Sequence, residues 1–227
     1  PFPSLPFPSL PFPSLPFPFL PTPGLAASGV PPLDLHVRRL MSSLITFARQ
    51  VRSRSNEHRH AMELLSRARL AGQMVSVLRQ ELDSMVRVIY LLAQDIPRRT
   101  ALIESSVAGK RWLKQNSRSP VTDKEMVELA QHLRGWTSSV YKFGCAFIHL
   151  SNLHDYNDRD PLALLPDQER IDIIEHCRAY HGGPSSNDAS FDDLIPYFPR
   201  VLEKVAGNLE CYIEHLENNE VRTTGEV

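Results

Sequence analysis

The stretch "AMELLSRARLAGQMVSVLRQELDSMVRVI", residues 61–89, decides the fold. Ala61, Leu64, Leu65, Ala68, Val75, Leu78, Leu82, Met85, Val86 and Ile89 recur at steps of three and four, the spacing that lines one face of an α-helix. A half-buried strand would alternate every second residue, and no sustained alternation bounded by hairpin signals follows residue 33. Upstream, Val37, Leu40, Met41, Leu44, Ala48 and Val51 form a second helical stripe. The two stripes predict two long helices separated by a polar break at "SRSNEHRH", residues 53–60, with Pro97 of "QDIPRR" closing the pair.

Downstream, Thr122 followed by Glu125 has the spacing of a capping box and places a helix start at 122. Met126, Leu129, Leu133, Val140, Tyr141, Gly144, Phe147 and Ile148 carry its stripe toward Tyr156, and Gly135 and Gly144 either weaken it or mark close contact with a neighbour. Asp160-Pro161 closes this region. Pro166 and Asp167 suit the first turn of a short helix, which Gly182-Gly183 stops in a left-handed conformation. A last helix buries Val201, Leu202, Val205, Leu209, Tyr212, Ile213 and Leu216. The expected fold is all-α, with four principal helices in an up-down bundle and one or two short extra helices.

That domain is expected to span residues 33–217, followed by a frayed tail at 218–227. Residues 1–32 hold 12 of the 19 prolines, in a five-residue repeat, PFPSL PFPSL PFPSL PFPFL PTPGL, that fills residues 1–25. Proline at every second or third position removes amide donors and fixes φ, so this low-complexity segment is expected to be extended and disordered.

The formal charge is −1, from 25 basic and 26 acidic side chains, which creates no global demand for nucleic acid or an anionic membrane. No apolar run reaches the roughly 18–20 residues that cross a bilayer, so no membrane association is expected. Cys145, Cys177 and Cys211 are widely spaced and form no CxxC pair. That pattern speaks against a zinc cluster or a disulfide framework and, with no secretion signal at the N-terminus, predicts a cytoplasmic protein. P-loop, dinucleotide, HExxH and GxSxG motifs are absent. No cofactor or metal is expected: His149 with His154, and His176 with His181, are five residues apart, a step that does not align ligands on a helix.

Chemistry-bearing residues concentrate in two places. In "RQELDSMVR", residues 79–87, Arg79, Asp83 and Arg87 stand four apart, so one carboxylate can meet an arginine on each side. The set reads either as a structural ladder or as a pair of arginines that grip phosphate. In "KFGCAFIHLSNLHDYNDRD", residues 142–160, Lys142 and His149 project within about 20° of each other on a helix, away from the apolar stripe. The scarcity of charge around them predicts a second covered face, against another helix or a second subunit. His149 there is either a proton-exchanging group or a hydrogen-bonded core histidine. His154, Asp155 and Tyr156 read as the polar end of that helix.

A helical bundle with an arginine- and acid-bearing second helix, then a helix carrying a cation and a histidine, resembles the HEPN superfamily. HEPN domains are four-helix bundles of toxin–antitoxin and antiviral systems, and many are metal-independent RNases with an Arg-x4-6-His motif. The resemblance implies a metal-independent RNase or its inactive relative, with Lys142-x6-His149 as the catalytic pair and lysine replacing arginine. Literal matches occur at Arg52-x5-His58, Arg54-x5-His60 and Arg170-x5-His176. Arg170 and His176 share one expected helix, whereas Arg52 and Arg54 straddle the expected break and read as solvated. Implied partners are RNA, a second copy of the chain and an antitoxin. The alternative is a non-catalytic helical module that binds another protein.

Overall fold

The computed structural model describes residues 35–130, Gly144 and residues 151–218. The expectations for residues 1–32, for the tail beyond 218, and for Lys142, Cys145 and His149 lie outside the described residues. What is described is all-α: six helices of eight residues or more, one four-residue helical turn, short 3-10 turns, and among these residues no strand, only an isolated bridge between Leu113 and Pro120.

Helix α1 runs from Leu35 to Arg67 and α2 from Ala71 to Leu92. The break therefore falls at 68–70 rather than at 53–60, and "SRSNEHRH" is helical throughout. Its polarity hides a buried face, because Ser55 and His58 are turned inward at 5% and 7% exposure. What ends α1 is backbone geometry: Arg69 adopts φ 56°, and the Leu70 amide donates back to the Leu65 carbonyl at 3.0 Å. This is the left-handed helix stop that glycine commonly supplies.

Pro97 is a start rather than the stop expected of it, since α2 already ends at Leu92. It occupies the first turn of α3, Ile96–Val107, where an absent amide costs nothing, and Asp95 caps that turn by accepting from the Arg98 amide at 2.8 Å. The Arg99 guanidinium, 2% exposed, donates to the Leu91 and Leu92 carbonyls at 2.9 and 3.0 Å and so satisfies the end of α2.

Helix α4, Asp123–Ala130, begins at the expected capping box: the Glu125 carboxylate accepts from the Thr122 amide at 2.9 Å, and Thr122 Oγ1 from the Glu125 amide at 3.3 Å. The expected continuation to Tyr156 does not hold at its far end. Ser151 is extended, with φ −142° and ψ 174°, and caps a separate 3-10 turn over Asn152–Asp155. Helix α5 spans Asp167–His181 and stops at Gly182, φ 66°, as the Gly-Gly pair predicts. Helix α6, Phe198–Glu217, follows a short turn at Phe191–Leu194.

α2 packs most extensively on α6, and α1 on both. Pairing registers fix the directions. On α1, Arg52 meets Glu210 and Arg59 meets Glu203 of α6, and Arg54 meets Asp83 while His58 meets Glu81 of α2. Partner numbers fall as α1 numbers rise, so α1 is antiparallel to both helices.

Two apolar clusters sit along this trio. One joins Phe47, Leu82, Met85, Leu91, Leu102, Trp112, Met126, Leu209 and Ile213. The other joins Met62, Met74, Leu78, Leu153, Leu162, Ile174, Phe191 and Leu202. On α1 and α2, the polar residues Ser55, His58, Arg79 and Glu81 fall where one cluster gives way to the other.

Candidate functional site

Three polar assemblies merit comparison. The first lies along α2, where Arg79, Asp83 and Arg87 are brought together as their spacing predicts, joined by two residues the sequence pattern did not indicate. Arg87 donates from Nε to Asp83 at 2.9 Å and from Nη2 to Asp123 at 3.0 Å, and its guanidinium lies 5.7 Å above the Trp112 ring. Arg79 is 5% exposed and lies 4.0 Å from the Asp83 carboxylate and 3.7 Å from that of Asp123. Arg54 reaches Asp83 at 3.6 Å. Both arginines proposed for phosphate are thus engaged with carboxylates, which is the structural-ladder reading. Gly144 is seated against this network: a Cβ there would lie 2.7 Å from Arg79 Cβ, so the contact requires glycine. Of the two roles open to Gly144, close approach is the one observed.

The second assembly is buried between α1 and α2. Glu81, 0% exposed, accepts from Ser55 Oγ at 2.5 Å and pairs with His58 Nδ1 at 2.6 Å. His58 belongs to one of the literal motif matches, yet it does not meet Arg52. Arg52 lies on another face and forms a fork with Glu210 and Glu217 of α6 at 2.6 and 2.8 Å, which raises its pKa through the hydrogen bonds, Glu217 first and then Glu210. The reading of Arg52 as merely solvated is therefore corrected: it staples α1 to α6. Sequence did carry a signal for Glu81, since it stands three residues beyond Leu78 and four before Met85, on the buried face of α2.

The third assembly is a half-open depression of about 160 Å³ between α5 and α6. His176, Tyr180 and His181 form one wall, and Lys204 and Asn208, one turn apart, form the other above Val201 and Val205. The His176 ring lies 4.6 Å from that of Tyr180 and 5.7 Å from that of His181. Burial, and secondarily His181, pull the His176 pKa down to about 4. His181 is lowered as well, by burial first and then by Lys204. Both imidazoles are neutral at pH 7. Arg170 does not line the depression; six residues before His176, it projects about 120° away on the same helix. The cation opposite His176 is Lys204, which a search for Arg-x4-6-His within one helix has no means to find.

His154, Asp155 and Tyr156 play local parts. The Ser151 amide donates to His154 Nδ1 at 3.3 Å, Asp155 pairs with Arg159 at 3.6 Å, and Tyr156 packs 6.0 Å from Phe191. They close a 3-10 turn that Ser151 opens, instead of closing a long helix. Among the described residues no group of three or more His, Cys, Asp or Glu side chains could hold a metal ion, and no helix is long and apolar enough to cross a membrane. The two cysteines described, Cys177 and Cys211, are free thiols. No protein-family model, curated protein or solved structure matches this chain.

Proposed function

We propose that the chain is a HEPN-like helical protein of a defence or toxin–antitoxin system that cleaves RNA without a metal, through Lys142 and His149. The supporting observation is the seat of Gly144 on Arg79, since Gly144 stands two residues after Lys142 and five before His149 in the sequence and Arg79 belongs to the arginine–aspartate network of α2. The chemistry needs no cofactor: an imidazole takes the proton of the ribose 2′-hydroxyl, which attacks the adjacent phosphorus, and an ammonium stabilises the charge gathering on the phosphate. Lysine does this as a point charge, without the two-pronged grip of arginine. In this reading two copies bring their histidines together across a shared face.

A second reading, a non-catalytic interaction module, draws on the same network. Arg79 and Arg87 are engaged with Asp83 and Asp123, which weakens their case as phosphate ligands. The deciding experiment is RNA cleavage by the full chain in EDTA, with Lys142→Ala, His149→Ala and His176→Ala compared. The proposal expects cleavage in EDTA that falls at least about a hundredfold in His149→Ala, the scale of a lost general acid or base. Intact activity in His149→Ala removes Lys142 and His149 as the catalytic pair and, with loss in His176→Ala, moves that role to His176; no cleavage of structured and unstructured RNAs by the unchanged chain transfers the function to the interaction reading.

A further inference from the structure

We infer that the depression between α5 and α6 binds a single unpaired nucleotide, with the base against Tyr180 and His176 and the phosphate toward Lys204. The inference goes beyond RNA cleavage and does not require it.

The argument starts from the two rows that α6 presents. Val201 and Val205 are one turn apart and form an apolar floor; Lys204 and Asn208, also one turn apart, form a polar rim beside it. α5 adds aromatic rings at the opposite wall, with Tyr180 49% exposed. An apolar floor, aromatic faces, one cation and one amide together match a flat heterocycle that carries an anion, because each part of such a ligand finds its partner within one turn of helix. The Asn208 amide offers both donor and acceptor to a base edge.

Charge favours the same occupant. Among the described residues no acidic side chain lines the depression, and the charged side chain on its wall is Lys204. Arg200, one turn before Lys204, donates to the His181 carbonyl at 3.2 Å and so ties the end of α5 to α6 beside the lining residue His181. Neutral His176 and His181 rings neither repel the cation nor compete for the phosphate. The volume of about 160 Å³ suits one ring, with the sugar and phosphate leaving through the open side. A base pair does not fit such a space, which selects an unpaired nucleotide.

The same chemistry is offered by a free mononucleotide and by a residue of single-stranded RNA. The test titrates the full chain, followed by the NMR signals of Tyr180, His176 and His181, with adenosine, adenosine 5′-monophosphate, uridine 5′-monophosphate, inorganic phosphate and a short single-stranded oligoribonucleotide. Nucleotides are expected to shift these signals saturably, and phosphate alone to do so weakly. Lys204→Ala should weaken the monophosphates by at least about fivefold while leaving adenosine unchanged, and Tyr180→Ala should weaken nucleotide and nucleoside alike by a similar factor. Both residues are exposed, so both variants should fold. Tighter binding of the oligonucleotide than of the monophosphates assigns the site to RNA, and the reverse assigns it to a free nucleotide; either sustains the inference. Absence of shifts with every probe, or nucleotide affinities unchanged in both variants, overturns it. Binding by a chain that cleaves no RNA sustains it while removing only the cleavage proposal.

Discussion

Glu81 is a carboxylate with no exposure to water, held by a serine hydroxyl and an imidazole from the facing helix. Such a group is tolerated only because its partners replace the water it lost. Glu81→Ala would leave Ser55 and His58 buried without their acceptor. Urea titration is expected to register a loss of about 3–5 kcal/mol, the range for breaking a buried pair on one side. A loss below about 1 kcal/mol would mean that water reaches the pair. Gly144 makes the opposite point, since alanine normally strengthens a helix, yet here its methyl would meet Arg79 Cβ. At both positions, packing decides what composition cannot.

At the level of elements, the position of the first helix break shows how far the sequence could be read. The apolar stripes of α1 and α2 were legible because Leu44, Ala48, Leu78, Leu82 and Met85 keep a helical period. The stretch at 53–60 reads as a break because the residues facing inward there are Ser55 and His58, whose partner Glu81 is 23 residues beyond His58. A stripe that turns polar where it meets a polar partner looks like a break until the partner is known. Asn56 gives the direct test, being exposed and in the middle of this stretch. Asn56→Pro is expected to cost about 3 kcal/mol or more in a continuous helix, measured by thermal unfolding, and almost nothing in a loop. Pro97 was ambiguous for a related reason, since proline ends one helix and suits the first turn of the next, and only the Asp95 cap tells them apart. The α5–α6 depression was illegible altogether: His176 was visible, but Lys204 joins it through tertiary packing alone.

For the whole molecule, acid is expected to act first through the histidines of α5. His176 in the folded chain titrates near 4, against 6.5 when unfolded, so between these values the unfolded chain binds the extra proton. His181, facing Lys204, shifts the same way. Stability is therefore full above pH 6.5 and declines as pH falls toward 4, and thermal midpoints measured across that window should fall with it. His176→Phe should flatten the upper part of the decline; an unaltered slope in that variant would assign the loss elsewhere. Below it, Glu217, its pKa lowered by its bond to Arg52, adds a further loss as it becomes protonated and the clasp between α1 and α6 opens.

The two apolar clusters draw on different connections. Residues from α3, the loop through Trp112 and α4 enter only the first, and residues from 153 to 194 enter only the second, while α1, α2 and α6 serve both. The helical trio is thus a chassis with two separate fittings, each closed onto its own half. Lengthening or replacing one connection changes chiefly its own chain-closure entropy, a slowly growing quantity, and leaves the far half packed. The α5–α6 depression spans that division, since its floor takes Val205 from the first cluster and Val201, which packs against both; replacing the connection through 153–194 therefore alters one wall of the depression and leaves its floor in place.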